Sequence, residues 1–304
     1  MGMLFSKTHP PPSKTFSVTS PESQIDDLSI RPILKSLEDH TQSILKISIK
    51  SYSYTEEALS LLTNAIQECQ QVQFVDFSST SPTPNHLELL NSTLLCLHNL
   101  HEVNLSHNFL TEASIDIFSF LFHSDCLKVL KLDDNLLGID GAMKLAEALR
   151  NSELKLFVFS AERNQLEDQG ILELSEAFES MGSLRQVSLS ENRLGKEGVI
   201  ILCRSLLNNV ELQVIDLADS YANEETAYVS IRHLMERTQF LSRVNLNDCF
   251  LGNVGTKVVL QGLLNSNPNL AELKLAHNEI DDDEVAELIC EVIKTKRFLE
   301  VVCK

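Results

Sequence analysis

Leu127-Lys128-Val129-Leu130-Lys131-Leu132-Asp133-Asp134-Asn135-Leu136-Leu137-Gly138 is the stretch that decides how this chain folds. Leu130 and Leu132 alternate with charged or exposed neighbours, the period of a short strand with one apolar face. Asn135 then turns the chain. Its carboxamide both donates and accepts, so it can satisfy backbone groups that a buried turn would leave unpaired. After the turn, Ala142, Leu145, Ala146 and Leu149 fall at i, i+3, i+4 and i+7, one face of a helix. Strand, polar turn and helix fit within one unit of under thirty residues.

The same unit recurs along the chain. Clear copies of apolar-x-x-apolar-x-apolar-x-x-Asn-x-apolar start at Leu100, Leu127, Leu184 and Leu270. Weaker copies start at Ile44, Val72, Leu156, Leu212 and Leu241, and a clipped one starts at Phe298. Consecutive starts lie 27 to 29 residues apart. A repeat of this length and pattern is a leucine-rich repeat with long units. Each unit can bury its apolar face only against its neighbours, so the expected architecture is one α/β solenoid whatever its length. Parallel strands should line the concave face of a horseshoe and helices its convex face. The turn position holds Tyr52, Thr80, Asn108, Asn135, Asn164, Asn192, Ser220, Cys249 and Asn278, a stacked ladder with an irregular first rung. Gly141, Gly170, Gly198 and Gly255 share one offset, where the helix should pack closely.

Two segments lie outside the period. Residues 1–24, with Pro10-Pro11-Pro12, Pro21 and many Ser and Thr, read as a disordered tail. Residues 25–304 form the repeat domain of about ten units, the last one truncated. Ile25 to Ser43 carries a helical pattern (Leu28, Ile33, Leu34, Leu37) that would cap the first unit. Met1 to Lys7 fits the myristoylation pattern with Gly2 as acceptor. A single acyl chain would make any membrane attachment reversible.

The chain of 304 residues carries 43 acidic against 25 basic side chains, a net charge of −18. A nucleic-acid surface needs clustered Lys and Arg, and residues 51–127 hold neither. Seven scattered Cys without a C-x-x-C pair point to reduced thiols, and a cytoplasmic or perinuclear monomer is expected. No phosphate-binding loop or nucleophile turn occurs. Cys96, His98 and His101 fall close together without the ligand set of a metal site, and Asp281-Asp282-Asp283-Glu284 suits a helix start better than calcium. No cofactor, metal or catalytic chemistry is expected.

Function in such a fold sits at the variable positions. Two residues precede each turn residue and are expected to face solvent on one rim of the concave surface. From the fourth unit to the eighth these are Asp133-Asp134, Glu162-Arg163, Ser190-Glu191, Ala218-Asp219 and Asn247-Asp248, at least one carboxylate per unit. Stacked a few ångströms apart, these carboxylates should repel each other. One reading is a rim that docks the basic surface of another protein. The other is a solvated acidic edge. Asp133, Asp134, Asn135, Glu162, Arg163, Glu191, Asp219 and Asp248 are the candidate contacts, with Asn135 mainly structural.

These units resemble the ribonuclease-inhibitor class of leucine-rich repeats and, within it, the Ran GTPase-activating proteins. The likeness rests on Leu127 to Gly138, Glu162-Arg163-Asn164-Gln165-Leu166-Glu167, Leu246-Asn247-Asp248-Cys249-Phe250-Leu251 and His277-Asn278-Glu279-Ile280, and covers about residues 30–304. It implies a cytosolic regulator of the small GTPase Ran that inserts no arginine of its own. The family's activating Asn stands immediately before one ladder residue; here that place is Asp134. An early arginine of the family falls in Ser81-Pro82-Thr83-Pro84, which has no base, and the family's acidic tail is absent. The alternative implied by the same class is a non-catalytic interaction scaffold like the ribonuclease inhibitors and NOD-like receptors.

Overall fold

The period of about 28 residues fixes the register of the sheet. In a computed structural model, which describes residues 15–19, 25–26, 29–50, 54–80, 82–265, 269–296 and 299–303, eleven strands pair in parallel in sequence order. They are β1 Thr15–Thr19, β2 Lys46–Lys50, β3 Phe74–Asp76, β4 Glu102–Asn104, β5 Val129–Lys131, β6 Val158–Ser160, β7 Gln186–Ser188, β8 Val214–Asp216, β9 Arg243–Asn245, β10 Glu272–Lys274 and β11 Glu300–Val302. The middle residues stand in one column, Val75, Val103, Leu130, Phe159, Val187, Ile215, Val244, Leu273 and Val301. All but the last are buried.

The helices follow in step: α1 Arg31–Glu38, α2 Glu56–Gln67, α3 Pro84–Leu95, α4 Glu112–Ile117, α5 Gly138–Arg150, α6 Glu167–Met181, α7 Lys196–Ser205, α8 Glu225–Arg237, α9 Gly252–Asn265 and α10 Asp283–Thr295. Neighbours pack side by side on the convex face, α5 on α6 and α8 on α9 most extensively. Gly170 permits the first of these approaches, because a Cβ there would stand 2.8 Å from the Ala142 Cβ; at Gly255 it would meet the Tyr228 ring at 2.6 Å. One continuous apolar core fills the space between sheet and helices, each buried aliphatic contributing roughly 1.5–3 kcal/mol while its neighbouring unit covers it. No helix among the described residues is long and apolar enough to cross a membrane.

The Asn ladder is built as its chemistry requires. The Asn135 Oδ1 accepts from the Asn108 and Leu110 amides, both at 3.0 Å, while its Nδ2 donates to the Leu105 and Leu132 carbonyls. Asn108, Asn192 and Asn278 repeat the pattern. Tyr52, the irregular rung, lies outside the described residues.

Two expectations change at the N-terminal end. Residues 15–19, placed in a disordered tail, form β1, which pairs with β2 from Thr15↔Lys46 to Thr19↔Lys50. Alternation in Thr15-Phe16-Ser17 is enough to add a strand to an open edge, and Phe16 packs partly against the core. The capping helix is shorter than its pattern, starting at Arg31 with Pro32 in its first turn and burying Ile33 and Leu37. Leu28 and the Gly2 acceptor lie outside the described residues.

Candidate rim for protein docking

The residue before each ladder position turns through the left-handed region. Ser79, His107, Asp134, Arg163, Glu191, Asp219, Asp248 and His277 all have φ between 51° and 59°. This conformation is uncommon outside glycine and easiest for Asp, Asn and His. The seven from Ser79 to Asp248 send their amides to the carbonyl one unit on, Asp134 to Glu162 at 2.9 Å and Asp219 to Asn247 at 2.9 Å. The sharp turn therefore lines up one side chain per unit along the rim.

The pair of residues before the ladder does not face solvent as a pair. The first of each pair is buried or half-buried: Ser78, Ser106, Ser190 and Ala276 are buried. Asp133 accepts from the Ser160 hydroxyl at 2.6 Å and the Glu162 amide at 2.9 Å. Glu162 is held above the usual carboxylate range, first by burial, then by the charges of Asp133 and Asp216. The second residue is the exposed one at His107, Glu191, Asp219 and His277, whereas Glu162 and Asp134 are equally half-buried, each with a side chain 25% exposed. Asn135 is buried in the ladder and offers no rim contact.

The expected uniform repulsion is also corrected. Arg163 stands between carboxylates and neutralises one end of the row. Its Nε donates to Asp134 Oδ1 at 2.5 Å and its Nη2 to Asp134 Oδ2 at 2.6 Å, while Nη1 reaches Glu191 at 2.8 Å. His107 Nδ1 lies 3.2 Å from Asp134. The Arg163 hydrogen bonds hold the Asp134 carboxyl below its ordinary range, against an opposing effect of burial. Farther along, no cation among the described residues reaches Asp219, whose carboxyl is pushed up by burial, Glu191 and Asp248. Asp248 meets the His277 ring at 3.2 Å.

The residues that follow the ladder positions were missed in the sequence. Phe109 (67% exposed), Leu136, Tyr221 (52%) and Phe250 (43%) stand out from the fold. The Tyr221 and Phe250 rings pack on each other with centroids 4.7 Å apart. Phe109 and Phe250 take left-handed φ values of 55° and 53°, where a bulky side chain is strained. The outward strand positions were missed as well: Lys131 pairs with Glu102 at 2.8 Å, and Asn245 donates to Asp216 at 2.8 Å. The alternation that buries Leu130 already marked Lys131 as outward.

Elsewhere, no group of three or more metal-ligating side chains converges among the described residues. Cys96 Sγ reaches the Ser92 carbonyl, and His101 Nδ1 the Asn99 carbonyl. Asp282 caps α10 through the Glu284 amide at 2.8 Å and pairs with Lys257, the role of an acidic residue at a helix start.

No model of a known protein family matches the chain. It is 24% identical over 313 residues to the ribonuclease inhibitor of Sus scrofa, covering 92% of this chain and 68% of that protein. It is 26% identical over 278 residues to Ran GTPase-activating protein 1 of Saccharomyces cerevisiae, covering 84% and 68%. It is 31% identical over 180 residues to NACHT, LRR and PYD domains-containing protein 5 of Homo sapiens, covering 59% of this chain but 12% of that one. Among solved structures, a chain of the yeast Rad7 and Elc1 complex superposes with a TM-score of 0.52 at 14% identity, over 91% of this chain and 78% of that chain. The last likeness concerns the fold alone. The sequence likenesses, with the repeat and its parallel sheet, support a protein-binding leucine-rich-repeat scaffold.

Proposed function

We propose that this leucine-rich-repeat protein docks a small GTPase of the Ran type against its concave rim. The observation that carries the reading is the aligned row of rim side chains, one per unit, running from Asp134 through Arg163, Glu191 and Asp219 to Asp248. Likeness to a Ran GTPase-activating protein over 84% of the chain supports the choice of partner. A basic patch on the GTPase would meet the acidic end of the row, speeding encounter and making it salt-sensitive. Arg163 supplies no catalytic finger, because Asp134 and Glu191 hold it within the rim. The protein acts in the cytoplasm as a monomer without cofactor or active site of its own, and acylation at Gly2 would add a reversible membrane tether.

A specific feature favours a second reading, binding without activation. Asp134 occupies the place of the family's activating Asn. An ionised carboxylate donates no hydrogen bond, and both its oxygens already accept from Arg163. On this reading the chain is an interaction scaffold in the manner of the ribonuclease inhibitors.

Single-turnover GTP hydrolysis by Ran, with the full chain at saturation, separates the two, provided binding is measured in parallel. Faster hydrolysis supports activation, and binding with unchanged hydrolysis supports the scaffold. Absence of binding overturns the choice of Ran. Asp134→Asn restores a donor, and gain of hydrolysis in that variant would assign the block to the carboxylate.

A further inference from the structure

The Tyr221 and Phe250 rings are large, apolar and half out of the protein, and they cover each other rather than the core. They flank the same two rungs as the least compensated carboxylates. Asp219 and Tyr221 lie on either side of buried Ser220, and Asp248 and Phe250 on either side of buried Cys249. The two units are direct neighbours, β8 pairing with β9. Among the described residues no side-chain donor reaches the Asp219 carboxylate.

The molecule shows elsewhere what this set of groups accommodates. Arg185 lies with its guanidinium carbon 4.2 Å from the Phe157 ring centroid and donates to Glu211 through Nε at 2.9 Å and Nη2 at 2.6 Å. Arg163 makes its paired contact with Asp134 on the same rim. A flat cation on an aromatic face, held by carboxylate, is therefore formed once by this chain's own residues, at Arg185, and its carboxylate half once more at Arg163. The rungs of Ser220 and Cys249 carry the aromatic face and the carboxylates, and among the described residues only the His277 ring, beside Asp248, offers a positive partner.

We propose that Tyr221, Phe250, Asp219 and Asp248 form a subsite for an arginine side chain of a partner protein. The guanidinium would lie on the exposed aromatic surface and donate to one or both carboxylates. Arginine fits better than lysine because its planar fork stacks on a ring and can bridge two acceptors, whereas an ammonium is a compact, strongly hydrated charge. The proposal rests on the reading that this rim docks proteins, but it does not depend on that protein being Ran.

The test uses the full chain labelled with 3-fluorotyrosine, whose four tyrosines give separate fluorine resonances. Tyr221→Phe assigns the Tyr221 signal. The probe is a peptide of alternating Gly and Arg, compared with the same peptide carrying citrulline or Lys. The Tyr221 signal should shift saturably with the Arg peptide and stay still with the neutral citrulline peptide. Lys should bind about threefold more weakly. Asp219→Asn with Asp248→Asn should weaken the Arg peptide by about tenfold, since both negative charges are lost. Phe250→Ala, checked for an unchanged melting temperature, should weaken it by about threefold. A motionless Tyr221 signal, an equal response to citrulline, or unchanged binding by the double variant would overturn the subsite. No GTPase is in the sample, so the two readings fail separately. Peptide binding without Ran binding removes only the GTPase, and Ran binding without the peptide response removes only the subsite.

Discussion

Two ends of one rim use the same backbone and opposite chemistry. Around units four to six, Asp134, Arg163 and Glu191 pair with one another, and the rungs beneath them are Asn135, Asn164 and Asn192. Around units seven and eight, Asp219 and Asp248 face each other with only the His277 ring beside Asp248 among the described residues, two aromatic rings stand in solvent, and the rungs beneath are Ser220 and Cys249. The first region spends its polar groups on its own stability. The second leaves charge and apolar area uncompensated, the signature expected of a surface that acquires its complement from another molecule.

The sharpest way to break this comparison is through the ladder. Asn192 accepts from the Asn164 amide and donates to the Ala161 and Leu189 carbonyls, all buried. Asn192→Ala should cost about 3 kcal/mol by urea unfolding, since it strands several buried groups at once. The buried Ser220 hydroxyl makes no hydrogen bond, and Ser220→Ala should stay within about 0.5 kcal/mol. Equal losses at both rungs would erase the distinction.

The rim gives a smaller effect. Arg163→Ala leaves Asp134, Glu162 and Glu191 to repel one another and should cost roughly 1 kcal/mol at low salt, less at high salt because exposed pairs are screened. Thermal melts at the two salt levels measure it. An indifferent Arg163→Ala would mean that the paired half is paired only in appearance.

Charge relief at the other end should act in reverse. Asp219 is pushed up by burial and by Glu191 and Asp248, so its ionisation opposes folding. Asp219→Asn should raise stability near neutral pH by under about 0.5 kcal/mol, and Asn tolerates the left-handed turn. Glu162→Gln should do the same. A raised carboxyl costs stability as pH rises from the ordinary range through its folded value, so both gains should vanish in acid. Asp134 has the opposite sign: its stabilisation is present above the ordinary carboxylate range and is lost as pH falls through its lowered value. Melting temperatures followed from neutral to acid pH separate the two behaviours.

Much of the architecture could be read without coordinates, for a physical reason. A column such as Val103, Leu130 and Phe159 requires only that one spacing repeat, and repetition is visible in a string. The same period also carried information that went unused. Asp134 and Arg163 are 29 residues apart, one unit, so the row of rim residues is a list of neighbours and Arg163 had to fall between two acids. The half-burial of Asp133 and Glu162 was less accessible, because it depends on how the chain turns past the last apolar residue of the strand. Strand β1 was hidden by the Pro- and Ser-rich composition around five residues. The Tyr221–Phe250 contact left a trace, since both follow a ladder residue directly, but their exposure depends on a turn whose φ no sequence states.

Binding of GTP-loaded Ran to the full chain tests the central claim most directly, if Asp219→Asn with Asp248→Asn is run beside the unaltered protein at low and high ionic strength. The account expects saturable binding that weakens with salt and falls further in the double variant. Absence of binding, or binding indifferent to both salt and the two carboxylates, would contradict it.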